Sequence, residues 1–246
     1  MTANIAEIVY DALIIPTGET TFGDQSFPVT NKAIELFQSG KYGCMFITGG
    51  YSGFATKERL EEKTEEGYRK SEGRETYDYI LKKGIKGLDE KSVFYDDQSL
   101  ESVGNLTYLI VEPMVNPYTR ERNPNPEDFD NMQVIGQEGH LWRLRDYARI
   151  VMPGNFLGGE IDFYPVRGKH NDGLAAKVYH RGLMNAMSHY LYANRGNDIS
   201  RPEKIHDFLD NKHPFYRAGW FDKPVSERKA IMAAVGGLWN LGIGAK

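Results

Sequence analysis

The chain has 246 residues, a length that allows one large α/β domain or a domain with a helical appendage, and its 40% apolar and 26% charged residues are ordinary for a soluble globular protein. Its 15 Tyr, 12 Phe and 3 Trp exclude global disorder, and a formal net charge of -4 argues against a general nucleic-acid binder. The single cysteine, Cys44, excludes an intramolecular disulfide and a multi-cysteine zinc site. Neither a signal peptide nor an apolar run of about 18 residues is visible, so we expect a cytoplasmic protein without a membrane anchor.

Short apolar runs alternate with helical patterns through the first two thirds of the chain. The predicted strands are 12–15, 45–48, 92–95, 132–135 and 161–166. The predicted helices between them are 29–39, 100–111 and 140–151. Because this alternation implies βαβ units, it predicts a mostly parallel sheet with helices on both faces. We therefore predict a Rossmann-like three-layer α/β sandwich over residues 1–168.

Two insertions and a helical tail complete the predicted organisation. Residues 56–91 carry many charges of both signs and are interpreted as solvated helix and loop, with a lid over the site as the alternative. Residues 116–130, rich in Pro and Asn, are a predicted surface loop. Helices are predicted over 174–192, from 200 and from 226, so residues 169–246 form a helical C-terminal extension packed on the first domain. For the aromatic residues of 213–221, docking of this tail is favoured over a surface for a partner protein.

Several familiar catalytic patterns are missing from the sequence. There is no G-x-x-x-x-G-K-[ST], no G-x-G-x-x-G after a strand, no G-x-S-x-G and no H-E-x-x-H. These absences leave P-loop kinases, nicotinamide-dependent enzymes, α/β-hydrolases and zinc proteases without support. No metal site is predicted, because the six histidines are scattered.

Small and polar residues follow four of the predicted strands. In a parallel sheet the carboxyl ends of the strands share one edge, and ligands bind there. The candidates are Thr17 and Gly18 after the first strand, Thr48, Gly49 and Gly50 after the second, Ser99, Ser102 and Asn105 after the third, and Gln137, His140 and Arg143 after the fourth. The glycines would let a ligand approach the backbone, and the hydroxyl and amide groups would supply hydrogen bonds. Jointly, these residues favour a small-molecule site.

His140 and Arg143 are the candidates with the most chemistry. They lie three residues apart and share one face in the first turn of a predicted helix. Arg143 could hold a carboxylate or a phosphate, and His140 could donate a hydrogen bond or move a proton. Each candidate also has a structural alternative: the glycines only turn the chain, Ser99 caps its helix, His140 is an exposed cap residue, and Arg143 pairs with Asp146.

These motifs, in this order, resemble the SanA/ElyC/YdcF family of bacterial proteins. The first three matches are Asp11-Ala12-Leu13-Ile14-Ile15-Pro16-Thr17-Gly18, the A-x-x-L-x-x-x-G of 33–40, and Ile47-Thr48-Gly49-Gly50. A Ser-Glu pair follows as Ser71-Glu72, with Glu75 as the rival glutamate. Residues 96–105 match the family's E-x-x-S-x-x-T-x-E-N, and 135–143 match its V-T-S-x-x-H-x-x-R. Asp96 replaces the first Glu, Gly104 replaces the second, and Gly136-Gln137 replace the Thr-Ser pair.

The resemblance implies a Rossmann-like fold and, in the absence of an anchor, the soluble YdcF type. That type has a helical C-terminal part and is linked to binding S-adenosylmethionine. By this resemblance we expect an anionic or nucleotide-like ligand, S-adenosylmethionine first, bound by the candidates above together with Glu72. The alternative is a hydrolase or transferase acting on a phosphorylated or nucleotide-derived metabolite, with His140 as acid/base and Arg143 as charge stabiliser. A third possibility is an interaction protein with a vestigial site; the oligomeric state stays open.

Overall fold

The computed structural model describes residues 10–17, 26–65, 67–85, 92–100, 102–111, 131–151, 160–166 and 202–240. The strands are β1 (Tyr10–Pro16), β2 (Tyr42–Thr48), β3 (Val93–Tyr95), β4 (Asn131–Gln137) and β5 (Glu160–Val166). The helices are α1 (Ser26–Gln38), α2 (Lys57–Glu61), α3 (Glu72–Lys82), α4 (Ser102–Val111), α5 (Glu138–Val151), α6 (Pro202–Lys212) and α7 (Val225–Asn240). A single 3-10 turn, Pro214–Tyr216, follows α6.

All five predicted strands are present, and the helices predicted between them are confirmed with shifted ends. One of these shifts is in α4, which begins at Ser102 rather than at residue 100. The reason is tertiary, since the Leu100 backbone N–H donates to the Tyr216 hydroxyl at 2.9 Å and its carbonyl accepts from Gly53 N at 3.0 Å. The predicted loop 116–130 and helix 174–192 lie outside the described residues, as does Gly18.

The five strands form one parallel sheet in the order β3-β2-β1-β4-β5. With helices packed on the sheet, this confirms the predicted α/β, Rossmann-like layout. The chain winds outward from β1 to β3 and then crosses to the other side of β1 for β4 and β5. The order therefore reverses between β1 and β4, and it is at such a switch point that open α/β sheets bind ligands.

Pairing between β1 and β4 ends before their carboxyl ends. The β1–β2 register continues to Pro16↔Thr48, whereas the β1–β4 register runs only from Ala12↔Met132 to Ile14↔Val134. Thr17 N donates to Thr48 O on β2 at 2.6 Å. Because the backbone groups of successive strand residues point to opposite neighbouring strands, the backbone nitrogen of residue 16 faces β4. Proline has no N–H to donate there, which ends the β1–β4 ladder at the switch point.

Alternate residues of the strands enter two apolar clusters, one on each face of the sheet. One cluster joins β1 and β2 to α4, α5 and α6 through Ala12, Ile14, Phe46, Leu106, Leu144 and Leu209. The other joins the same strands to α1 and α3 through Leu13, Ile15, Ile47, Ala33, Tyr77 and Ile80. The two clusters give the predicted three layers, and the near-complete burial of these side chains is the main stabilising contribution.

The interpretation of 56–91 as solvated helix and loop is wrong for α3. Its Gly73, Arg74, Thr76, Tyr77 and Ile80 are buried, and the Tyr77 ring packs 5.4 Å from that of Tyr95 in β3. The charges were misleading because the helix is amphipathic and packs on the sheet through Tyr77 and Ile80. The solvated interpretation holds for α2, which has no buried residue.

The aromatic residues after α6 pack on the loops that follow β2 and β3. The Phe215 ring covers Gly53, and Trp220 Nε1 donates to Gly53 O at 2.8 Å. With the Tyr216–Leu100 hydrogen bond, these contacts agree with the docking interpretation of this segment. In the part of the chain that is described, no helix is long and apolar enough to cross a membrane.

Candidate functional site

The candidate residues lie at the carboxyl edge of the sheet or in the helix starts beside it. At the strand ends, Thr17 follows β1, Thr48 ends β2 with Gly49 and Gly50 after it, and Gln137 ends β4. At the helix starts, Glu72 opens α3 and Ser99 precedes α4, which carries Ser102 and Asn105 in its first turns. His140 and Arg143 lie in the first turns of α5. The structure therefore brings to one edge all of the candidates that fall within the described residues.

Six residues at this edge form a continuous set of hydrogen bonds, which we call the strand-end network: Thr17, Gly49, Gly50, Asp96, Ser99 and Asn105. Asn105 Nδ2 donates to Thr17 O at 2.9 Å, and Ser99 Oγ donates to Asn105 Oδ1 at 2.8 Å. Ser99 Oγ also accepts from Gly50 N at 3.2 Å. The network ties the ends of β1, β2 and β3 to α4, and in it Ser99 and Asn105 bond to the protein itself. The alternative that Ser99 caps α4 is not what the structure shows.

Asp96 is the acidic member of this network, and it is 5% exposed. Its carboxylate accepts from Gln98 N at 2.7 Å, from Ser99 N at 3.2 Å and from Gly49 N at 3.3 Å. Burial raises the pKa of Asp96 to about 6, although the hydrogen bonds from Ser99 and Gln98 lower it. Since the carboxylate bonds to the loops after β2 and β3, a change in its protonation changes the hydrogen bonds that hold these two loops together.

Gly49 and Gly50 allow the protein to pack against itself at the end of β2. Gly49 has φ +141°, and a Cβ there would overlap Thr17 Oγ1. A Cβ on Gly50 would lie 2.6 Å from the Asp97 carbonyl carbon. Neighbouring residues of the same edge therefore leave no room for a side chain at Gly49 or Gly50. This agrees with the structural alternative, in which these glycines serve the chain itself.

The start of α3 is closed by hydrogen bonds to the loop after β2. Glu72 N donates to Gly50 O at 2.8 Å and Gly73 N to Gly49 O at 2.7 Å, while Ser71 caps the helix by accepting from Arg74 N at 3.1 Å. These donors would otherwise be available to an anion. Because these three N–H groups already bond to the protein, the start of α3 helps to fix the shape of the edge. The expectation that an anion binds at a helix start therefore depends on α5.

α5 begins at the switch point, since Glu138 follows the last residue of β4 directly. His140 is 8% exposed and Arg143 is 5% exposed, and both contact other residues of the protein. The alternative of an exposed cap residue is therefore wrong for His140. A buried guanidinium and a buried imidazole one turn apart, at the carboxyl end of β4, are suited to a carboxylate or a phosphate.

Thr48 contributes an unengaged hydroxyl to this edge. The residue is 1% exposed, and its Oγ1 is buried without a hydrogen-bond partner among the described residues. The other two described candidate hydroxyls differ, because Thr17 Oγ1 donates to Thr48 O at 3.1 Å and Ser99 Oγ is engaged in the network. A buried hydroxyl without a partner is uncommon and calls for an explanation, such as a ligand or a bound water.

The sequence reasoning did not place Asp96 or Tyr51 at the site. Asp96 had a readable signal, since an Asp that bonds backbone N–H groups two and three residues later is typical of a turn. Tyr51 had none, because its burial at 6% exposed comes from tertiary packing. Within the described ranges, no three His, Cys, Asp or Glu residues are grouped so as to hold a metal ion.

Comparison with known proteins adds no relative: no protein-family model matches the chain, and no curated protein or solved structure matches it. The resemblance of the strand-end motifs to the SanA/ElyC/YdcF family stays a prediction.

Proposed function

We propose that this protein binds an anionic or nucleotide-like small molecule at the carboxyl edge of its sheet, between β1 and β4. The observation that carries the proposal is the position of Arg143 and His140, both buried in the helix that begins at the switch point. S-adenosylmethionine is the first ligand to test, on the strength of the resemblance to proteins of the YdcF type.

Charge supports an anionic ligand. The planar guanidinium of Arg143 suits the two oxygens of a carboxylate or phosphate. The carboxylate of S-adenosylmethionine would meet Arg143, with His140 as a second donor from the same helix face. The hydroxyl of Thr48, which has no partner among the described residues, would bond a polar group of the ligand.

The strand-end network supports the proposal by holding the edge in one shape. Ser99, Asn105 and Asp96 fix the ends of three strands through hydrogen bonds of 2.7–3.3 Å. A site that is formed before the ligand arrives loses less conformational freedom on binding. In this proposal the network residues position the site, while the contacts to the ligand come from Thr48, His140 and Arg143.

Isothermal titration calorimetry with S-adenosylmethionine and with adenosine monophosphate tests the proposal. Arg143→Gln should weaken binding by about tenfold or more, the loss expected for a hydrogen bond to a charged group. Arg145→Gln is the matched control, because it removes the same charge from the same helix at an exposed position. Thr48→Val removes only the unpartnered hydroxyl, so it should weaken binding without lowering the melting temperature.

The proposal fails if neither compound binds, or if Arg143→Gln and Thr48→Val both bind as the wild type does. Analysis of the titrated compound by NMR separates binding from catalysis. A compound recovered unchanged agrees with a binding protein. Conversion that stops in His140→Ala would replace this proposal with the hydrolase or transferase alternative.

A further inference from the structure

A second hydroxyl without a partner follows β2, on the side of the edge away from β4. Tyr51 is 6% exposed, and its hydroxyl oxygen is buried with no hydrogen bond to any described residue. The Tyr51 backbone is held firmly, since its N–H donates to Ser99 O at 3.0 Å. Leaving a buried hydroxyl unsatisfied costs about 1–3 kcal/mol, so its position calls for a partner beyond the described residues, such as a ligand.

Arg69 lies near the same loop as Tyr51, since Arg69 contacts Gln98 and Tyr51 N donates to Ser99 O. Burial raises the pKa of Tyr51, the Arg69 and Arg59 charges lower it, and Asp97 and Glu75 raise it again. The antiparallel bridge between Lys63 and Arg69 holds the backbone beside α2. Arg69 Nη1 lies 3.5 Å from the side-chain oxygen of Gln98, which follows β3. Tyr51 and Arg69 are thus held near the carboxyl ends of β2 and β3.

The other cationic side chains of this region are already paired. Arg59 lies 2.7 Å from Glu75 and 2.7 Å from Glu62, and Lys70 lies 3.7 Å from Glu62. Asp97 accepts from Gln98 Nε2 at 2.6 Å. Arg69, by contrast, has no ion pair in the described part of the chain, and its contact with Gln98 is long.

We propose that Tyr51 and Arg69 form an oxyanion subsite between the carboxyl ends of β2 and β3. Both offer hydrogen-bond donors that the described residues do not fully use, and a phenol with a guanidinium suits the oxygens of a phosphate or a carboxylate. Because the Tyr51 hydroxyl is buried, an ion reaches it only when neighbouring groups move aside. The subsite is independent of the ligand proposed for the β1–β4 switch point, which is held by Arg143.

The test is an NMR titration of the ¹⁵N-labelled full chain with sodium phosphate at constant ionic strength. Saturable shifts are expected for the backbone amides of Tyr51 and Arg69. Arg69→Gln should weaken this binding by about tenfold or more, the effect of losing a hydrogen bond to a charged group. Lys70→Gln is the matched control, since it removes the same charge from the adjacent residue, and it should change the affinity by less than about twofold.

Tyr51→Phe separates binding from folding. It removes a hydroxyl that bonds to none of the described residues, so the melting temperature should stay the same or rise while phosphate binding weakens. Sodium acetate, titrated in parallel, shows whether a carboxylate or a phosphate is the preferred ion.

Three results would overturn the proposal. Shifts that grow linearly without saturating would show that no subsite exists. Equal effects of Arg69→Gln and Lys70→Gln would show a general charge effect. Loss of the Tyr51 and Arg69 shifts in Arg143→Gln would show that the ion is held at the switch point; their persistence there supports a separate subsite, even if S-adenosylmethionine fails to bind.

Discussion

Arg228 gives the sharpest test of how the C-terminal segment is attached to the candidate site. Its side chain is 1% exposed and donates to three backbone carbonyls: Nη1 to Gly53 O at 2.9 Å, Nη2 to Ala55 O at 2.8 Å and Nε to Lys223 O at 3.1 Å. No carboxylate pairs with it in the described ranges. Gly53 and Ala55 belong to the loop that begins at the end of β2, so Arg228 joins the tail to one wall of the carboxyl edge.

The stability effect of Arg228→Ala can be worked out from these contacts. Ala55 O and Lys223 O lose the donor shown for them, whereas Gly53 O keeps Trp220 Nε1 at 2.8 Å. Two lost hydrogen bonds to a charged group amount to about 3–6 kcal/mol, and relief of the buried charge offsets part of this. We expect a net loss of about 2–4 kcal/mol, which lowers the melting temperature of a chain of this size by about 5–15 °C.

Thermal and urea unfolding followed by circular dichroism measure this loss. Lys229→Ala, at the adjacent exposed position, is the control and should leave the melting temperature within about 2 °C of the wild type. Arg228→Lys should fall between the two, because an ammonium group keeps the charge but cannot span the same carbonyls. If Arg228→Ala unfolds at the same temperature as Lys229→Ala, the tail is not anchored through this guanidinium.

Three further predictions concern packing and pH. Gly53→Ala places a Cβ against the Phe215 ring and should lower the free energy of unfolding by about 1–3 kcal/mol; an unchanged urea midpoint would contradict the packing. Burial raises the pKa of Asp96 from 3.8 to about 6, so its contribution to stability is fully present below pH 3.8 and is lost as the pH rises through 6. The wild-type advantage over Asp96→Asn should therefore shrink by about 2–3 kcal/mol between about pH 4 and 7, and a flat difference in urea unfolding would refute this. Burial lowers the pKa of His213 to about 3, so the stability it contributes is present above pH 6.5 and is lost as the pH falls toward 3. The wild-type advantage over His213→Gln should decline by about 1.4 kcal/mol per pH unit below that point, and an advantage that grows in acid would be inconsistent with a buried neutral imidazole.

The strands were predictable because their local pattern and their burial agree. Runs such as Leu13-Ile14-Ile15 and Met45-Phe46-Ile47 are buried on both faces, as expected of a central parallel strand. Their order in the sheet was not predictable in the same way. Nothing local to Ala12 shows that it pairs with both Cys44 and Met132, since the second partner lies far along the chain.

The candidate site was predictable as a place but not as a set of contacts. The sequence predicts that Ser99 and Asn105 lie at the carboxyl edge, yet it cannot show that Ser99 Oγ already donates to Asn105 Oδ1. The contact of Arg228 with the loop after β2 had no local signal, because two of the three carbonyls that it binds are 175 and 173 residues away. A sequence shows which donors are available at an edge, whereas only the fold shows which of them the protein itself uses.

The distinction between engaged and unengaged groups divides the edge into two parts with different expected behaviour. Removing an engaged group, such as the Ser99 hydroxyl, should lower stability because Gly50 N and Asn105 Oδ1 lose a partner. Removing an unengaged hydroxyl, at Thr48 or Tyr51, should leave stability unchanged or higher and affect only binding. A fall in melting temperature for Thr48→Val or Tyr51→Phe would mean that the fold itself satisfies that hydroxyl, and the residue would then belong with those that shape the edge.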